Sequence, residues 1–123
     1  MKQWIGRSIV VIGILHTIVG LIGLRSILAV LLNEGIVNTV NQQPEREMAF
    51  WCLFFGFLVI VFGGLIDWCE AQEVKLPLFL GWGLLTIAVM GAMIMPISGF
   101  WLLIIPSIGV IRQKSPSKAN VKQ

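Results

Sequence analysis

Residues 49–66 read AFWCLFFGFLVIVFGGLI, an apolar run without a charged residue, and this run decides the class of fold. A helix that crosses the hydrocarbon core of a bilayer, which is about 30 Å thick, needs about 17–25 apolar residues. Three further apolar runs cover residues 4–24, 76–95 and 97–111, of which the last is short. The sequence therefore predicts an all-α fold, a four-helix transmembrane bundle with helices at about 4–24, 49–66, 76–95 and 97–111.

The composition agrees with a membrane protein. Hydrophobic residues make up 57% of the chain and charged residues only 12%, whereas charged residues are about 25% of a typical soluble domain. A small soluble domain has too little interior to hide this much apolar surface, but lipid accepts it directly. We therefore expect one transmembrane domain over residues 1–111, a basic cytoplasmic tail at 112–123, and membrane lipids as partners.

The basic residues predict the orientation of the helices. With both termini on the cytoplasmic side, that side carries seven of the nine Lys and Arg residues: Lys2, Arg7, Lys75, Arg112, Lys114, Lys118 and Lys122. The opposite side has Arg25 and Arg46. Because Lys and Arg are enriched in cytoplasmic loops, we expect a multi-pass membrane protein with both termini cytoplasmic. The net charge of +3 does not indicate a nucleic-acid partner, because these residues lie at the ends of the apolar runs.

The longest connection, residues 26–47, has room for structure of its own. Leu32, Ile36 and Val40 recur every four residues and form a weak helical stripe. Either the first helix continues to about Leu32, or this segment lies in the membrane interface as an amphipathic helix between helices one and two. It is either ordinary surface structure or a lid over a binding site. Further along the chain, Pro106 is expected to kink the fourth run.

Glycines predict how the helices pack. On a wheel of 100° per residue, Gly13, Gly20 and Gly23 share one face of helix one with His16. Helix two has a comparable face, and helix three offers Gly81, Ala88 and Ala92. Small residues let helix backbones approach closely in lipid, so helices one to three should contact each other through these faces. The residues predicted to pack in this way on helices one and two are Gly13, Gly20, Gly23, Gly56 and Gly63.

Charged residues at the cytoplasmic end suggest one specific contact. Arg7 and Asp67 fall at the same level of the bundle, so the sequence predicts an ion pair between them; the alternative is two unpaired charges among the headgroups. Cys52 and Cys69 would lie about 26 Å apart along one helix, which is too far for a disulfide bond.

His16 is the main candidate for function, because an ionisable group at membrane depth is costly. Three roles remain open for it: a hydrogen bond across a helix interface, contact with a ligand, and ligation of haem or a metal. Arg7 is nine residues away and therefore lies on the opposite face of the helix. Because no metal-ligating cluster or catalytic constellation is present in the sequence, we expect no metal site, no cofactor and no catalytic residues.

Three segments resemble a known family. They are Gly6-Arg7 with Gly13-Ile-Leu-His16-Thr-Ile-Val-Gly20, then Phe50-Trp51-Cys-Leu-Phe-Phe-Gly56, and then Pro96-Ile-Ser98-Gly99-Phe-Trp101-Leu ahead of Pro106. In this order they are similar to a family of small bacterial four-helix membrane proteins known only as a domain of unknown function. The resemblance implies a location in the bacterial cytoplasmic (inner) membrane. It also implies that a shared ligand-binding site would involve Arg7, His16, Trp51, Ser98 and Trp101.

The sequence favours a non-catalytic accessory or binding protein. A lipophilic ligand such as a lipid or quinone would enter between the helices and touch His16. One alternative is a membrane subunit of an oxidoreductase, in which His16 relays a proton or binds haem. The other alternative is a small-solute transporter. The glycine faces also offer a surface for a homodimer or for a complex with another membrane protein.

Overall fold

The computed structural model describes residues 3–113, which fold into five α-helices and a short 3₁₀ helix without any strand. The all-α class is therefore confirmed. The elements, in chain order, are α1 (Ile5–Gly23), α2 (Arg25–Glu34), α3 (Pro44–Ala71), α4 (Leu78–Ile94), the 3₁₀ helix (Gly99–Leu103) and α5 (Ile104–Ile111). Of the predicted tail at 112–123, all but the first two residues lie outside the described part of the chain.

Helices α1 and α3 form the closest pair in the fold and run antiparallel. Gly6 of α1 contacts the backbone of Asp67, while Gly20 at the other end of α1 faces Cys52. Five buried side chains form the core, which lies where the start of α1 meets the end of α3. They are Ile5, Ile9, Ile66, Leu76 and Val110. Leu80 and Leu84 of α4 pack against this core from outside.

The remaining helices form a second hairpin, and here one prediction was wrong. Helix α4 packs against α5 and the 3₁₀ helix instead of sharing a small-residue face with α1 and α3. A Cβ atom on Gly81 would lie 2.7 Å from Ile111 Cγ1, and one on Gly91 would overlap the ring of Phe100. The short turn at residues 95–98 makes α4 and the segment that follows it antiparallel neighbours.

The helix bounds also differ from those expected. Helix α3 begins at Pro44 and continues to Ala71, beyond the predicted end at Ile66, because Asp67 and Glu70 have partners on α1. The fourth run is divided into a 3₁₀ part and an α part, and Pro106 lies in the first turn of α5. A proline there removes no intrahelical hydrogen bond, since the first N–H groups of a helix have no acceptor. The irregularity therefore precedes Pro106.

The long connection contains a separate helix. Helix α1 ends at Gly23 instead of continuing to Leu32, and after a break at Leu24 the helix α2 packs on α3 with Leu31 buried. Gly35, at φ 94°, ends α2 in a backbone conformation that favours glycine. Arg46 of α3 anchors the connection between α2 and α3. Its guanidinium lies 2.6 Å from the Glu34 carboxylate and donates to the Thr39 carbonyl at 3.0 Å.

Two helices, α1 and α3, are long and apolar enough to cross a membrane, whereas α4 and the segment 99–111 are shorter apolar helices. Only 33% of the most apolar window of α1 and 22% of that of α3 is buried within the protein. The core helix of a soluble protein would be mostly buried. The large exposed apolar surface therefore gives weak support to a membrane location.

Candidate functional site

His16 bonds across the closest helix pair. Its Nε2 atom lies 3.0 Å from the Cys52 carbonyl oxygen on α3, and its ring meets the ring of Phe55 edge-on at 5.5 Å. Because a carbonyl oxygen can only accept, Nε2 must carry the hydrogen and donate. Gly56 leaves room for this arrangement, since a Cβ atom there would lie 3.1 Å from His16 Cδ2. Of the three roles left open by the sequence, the geometry favours the interhelical hydrogen bond.

Arg7 and Asp67 form the ion pair that the sequence predicts. Arg7 Nε lies 3.2 Å from Asp67 Oδ1, and Arg7 Nη2 donates to Gln3 Oε1 at 2.9 Å. The Arg7 side chain is largely exposed, and such pairs typically stabilise a fold by about 0–1 kcal/mol. The ion pair therefore lies at the contact between α1 and α3 but contributes little to its stability.

The three remaining residues of the predicted ligand site lie elsewhere and have local roles. Trp51 is exposed and meets the ring of its neighbour Phe50 edge-on at 5.4 Å. Ser98 donates from its hydroxyl to the Met95 carbonyl, and Trp101 donates from Nε1 to the Pro96 carbonyl at 3.0 Å. These two bonds tie the turn between α4 and the 3₁₀ helix. The contacts of the five residues do not join them into one site.

Four of the five predicted packing glycines lie in the α1–α3 interface. A Cβ atom on Gly13 would stand 2.8 Å from Ile60, and one on Gly63 would stand 2.7 Å from the Val10 backbone nitrogen. Gly20 and Gly56 face Cys52 and Thr17 in the same interface. Gly23 does not pack in this way, because α1 ends there and no atom of another element lies within 4 Å of where its Cβ would be.

Glu70 is the residue that the sequence analysis missed. Its side chain is 2% exposed and accepts hydrogen bonds from two α1 N–H groups, that of Gly6 at 2.8 Å and that of Ile5 at 3.4 Å. The residue before α1, Trp4, provides no side-chain cap. Glu70 therefore caps α1 from another helix and places a negative charge at the positive end of the α1 dipole. In the sequence Glu70 lies beyond the predicted end of helix two at residue 66, and only its spacing of seven from Gly63 indicates the α1-facing side of α3.

A groove of about 520 Å³ lies beside this cap, between the start of α1 and α5. Its apolar lining includes Trp4, Ile105 and Ile108, and its polar lining includes Glu70, Arg112 and Gln113. The Trp4 ring lies across Gly109, where a Cβ atom would come within 2.6 Å of it. Gln113 Oε1 accepts from the Leu76 N–H at 3.3 Å, whereas the Arg112 guanidinium has no acceptor among residues 3–113. The groove is thus apolar along one side and polar at its end.

A second cavity of about 520 Å³ lies at the opposite end, between α2 and the start of α3. Its lining includes Ile27, Val30 and Arg46, and Arg46 is already bonded to Glu34 and Thr39. Within the described range, no three His, Cys, Asp or Glu side chains come together in a way that could hold a metal ion. The groove at the start of α1 is therefore the better candidate for a binding site.

These features define a small all-α protein with a tightly packed helix pair, both members of which could cross a membrane. The chain belongs to a family of unknown function, DUF6463, whose match covers residues 1–117. This confirms the resemblance to an uncharacterised family over nearly the whole chain. No curated protein and no solved structure matches the chain.

Proposed function

We propose that this protein is an accessory membrane protein without catalytic activity that binds a lipophilic molecule, a lipid or a quinone, in the groove between α1 and α5. The observation that carries the proposal is the groove itself, which has Trp4, Ile105 and Ile108 on its apolar side and Arg112 at its polar end. Lipophilic ligands bind in concave, mostly apolar sites with a few polar groups that fix their orientation.

The proposal places the whole chain in a membrane as a four-helix, four-span bundle. Helices α1 and α3 would span directly, while α4 and the segment 99–111 would cross as a shorter hairpin. Exposed apolar side chains on this hairpin support the idea, among them Phe79, Met93, Ile94 and Ile97. Lipid accepts such surfaces, and slightly short spans are accommodated by local thinning of the bilayer. With both termini cytoplasmic in a bacterial inner membrane, the groove would open at the cytoplasmic leaflet.

The groove is a better ligand site than the surroundings of His16. One ring nitrogen of His16 is engaged within the protein, because Nε2 donates to the Cys52 carbonyl at 3.0 Å. The interface around it is closed, since Cβ atoms on Gly13 and Gly56 would collide with side chains of the opposite helix. A ligand between α1 and α3 at the level of His16 would have to separate the two helices. A ligand in the groove between α1 and α5 would not have to separate any helices.

Blocking the groove tests the proposal. We expect Ile108→Trp to weaken binding of added phospholipid or menaquinone by about tenfold or more, because a larger side chain occupies the groove. The measurement is native mass spectrometry of ligand adducts on protein purified in mild detergent. Val61→Trp is the matched control, since Val61 on α3 is 70% exposed and distant from the groove lining.

Two outcomes would contradict this proposal. Equal binding by the parent chain, Ile108→Trp and Val61→Trp would show that ligands bind to the general apolar surface. Loss of binding in His16→Ala, with Ile108→Trp unaffected, would instead move the ligand to the α1–α3 interface.

The proposed orientation has its own test. Cysteines are introduced one at a time at Gln72 and Asn41, which are exposed and lie at opposite ends of α3. The two variants should react differently with a membrane-impermeant maleimide added to intact cells. We expect Asn41→Cys to be labelled and Gln72→Cys to be labelled only after lysis, because Lys and Arg are enriched at the Gln72 end. The parent chain gives the background from Cys52 and Cys69, which are both partly buried. The opposite pattern would invert the topology.

A further inference from the structure

Two residues of α5 and the arginine that directly follows this helix lie along the length of the groove. Ile105, Ile108 and Arg112 are spaced by three and then four residues, so they share one face of the helix. At 1.5 Å per residue they cover about 10 Å, with the guanidinium at the end of the helix and the two isoleucines behind it. All three residues line the groove. A molecule with a charged head and an apolar chain matches this order.

We propose that the occupant of the groove is an anionic phospholipid, with its phosphate at Arg112 and one acyl chain along Ile108 and Ile105. This inference rests on the proposed function and adds the class of the ligand. The guanidinium of Arg112 presents a planar fork of donors that suits phosphate oxygens. The headgroup would lie at the end of the bundle, at the level of Trp4, as expected for an interfacial residue.

The charges around the groove favour an anion over a zwitterion. Glu70 is the only carboxylate in the lining, and its two oxygens already accept from Gly6 and Ile5 N–H groups. Its charge faces the positive end of the α1 dipole, which offsets it. The Arg112 guanidinium, by contrast, has no acceptor among the described residues. The charge that the groove leaves unbalanced is therefore positive.

Donor chemistry on the other wall agrees with this assignment. Trp4 lies at the start of α1, and its indole ring packs on Gly109 while the residue remains partly exposed. The indole N–H of Trp4 has no acceptor within residues 3–113. Tryptophan at a membrane interface typically combines an apolar ring with a donor for headgroup or ester oxygens. Among the described residues, the lining of the groove thus offers two side-chain donors without an acceptor, those of Arg112 and Trp4.

The experiment compares phosphatidylglycerol with phosphatidylethanolamine on the full chain in mild detergent, by native mass spectrometry at two salt concentrations. We expect the parent to prefer phosphatidylglycerol and Arg112→Gln to lose about tenfold in affinity for it, with little change for phosphatidylethanolamine. Arg112→Lys should recover part of the preference because it keeps the charge without the fork. Arg25→Gln is the matched control, an exposed arginine at the opposite end of the protein.

Several results would overturn this assignment. If Arg112→Gln keeps the lipid preference while Ile108→Trp still blocks binding, the proposed function stands. Recognition of an anionic headgroup by Arg112 is then excluded. A preference that disappears only when Lys114, Lys118 and Lys122 are all replaced by Gln would assign it to the tail. Displacement of the lipid by inorganic phosphate at equal concentration would show that a free anion, and not a lipid, is recognised. Failure of Ile108→Trp to block any ligand would end both proposals.

Discussion

Gly63→Ala is expected to lower the free energy of unfolding by about 2–3 kcal/mol, the upper part of the range for overpacking a close interface. The added Cβ would stand 2.7 Å from the Val10 backbone nitrogen and 3.1 Å from the Gly6 carbonyl oxygen. Backbone atoms cannot rotate away as a flexible side chain can. The methyl group would therefore have to push α1 and α3 apart along the whole interface that also contains the His16 hydrogen bond.

The neighbouring residue provides a matched control. No atom of another element lies within 4 Å of the position that a Cβ on Gly64 would take. Gly64→Ala should be neutral or stabilising by about 0.5–1 kcal/mol, because alanine is a better helix former than glycine. The measurement is thermal and detergent-induced unfolding of both variants, followed by far-UV circular dichroism. Equal stability of the two variants would show that α1 and α3 do not pack as closely as described.

This interface is the part of the structure that the sequence predicted best. Gly13, Gly56 and Gly63 recur at helical spacing in two apolar runs, and lipid leaves close packing of small faces as the main way to join such helices. The same reasoning failed for α4, although Gly81 and Ala88 also form a small face. A face of small residues predicts that a helix packs there but not which helix, and on α4 the partner is α5.

The groove could not be predicted from the sequence for a related reason. Trp4 precedes α1 and Arg112 follows α5, and nothing in their spacing of more than a hundred residues brings them together. They line one groove because α5 packs beside the start of α1, with Gly109 under the Trp4 ring. His16, in contrast, was recognisable as unusual because a lone histidine in an apolar run stands out. The sequence thus indicated His16, whose Nε2 bonds within the protein, but not Trp4 and Arg112, whose donors have no acceptor among residues 3–113.

Glu70→Ala is the second change for which we expect a large effect, a loss of about 2–3 kcal/mol in the free energy of unfolding. The Glu70 carboxylate accepts from Gly6 N–H at 2.8 Å and from Ile5 N–H at 3.4 Å, and both residues are buried. Removing it would leave these donors at the start of α1 without an acceptor and without the negative charge that the helix dipole favours. The start of α1 should then fray, which amide hydrogen exchange at Ile5 and Gly6 would report.

Two further variants separate the hydrogen bond from the charge. Glu70→Gln keeps one side-chain oxygen as an acceptor but removes the charge, so its loss should be intermediate, about 1 kcal/mol. Glu73→Gln makes the same chemical change at an exposed position of the link between α3 and α4 and should have almost no effect. If Glu70→Ala unfolds like the parent and its Gly6 amide exchanges no faster, the carboxylate does not cap α1. In that case α1 would be held at its start by the packing of Ile5 and Ile9, and the Glu70 carboxylate would be free to face the groove that it lines.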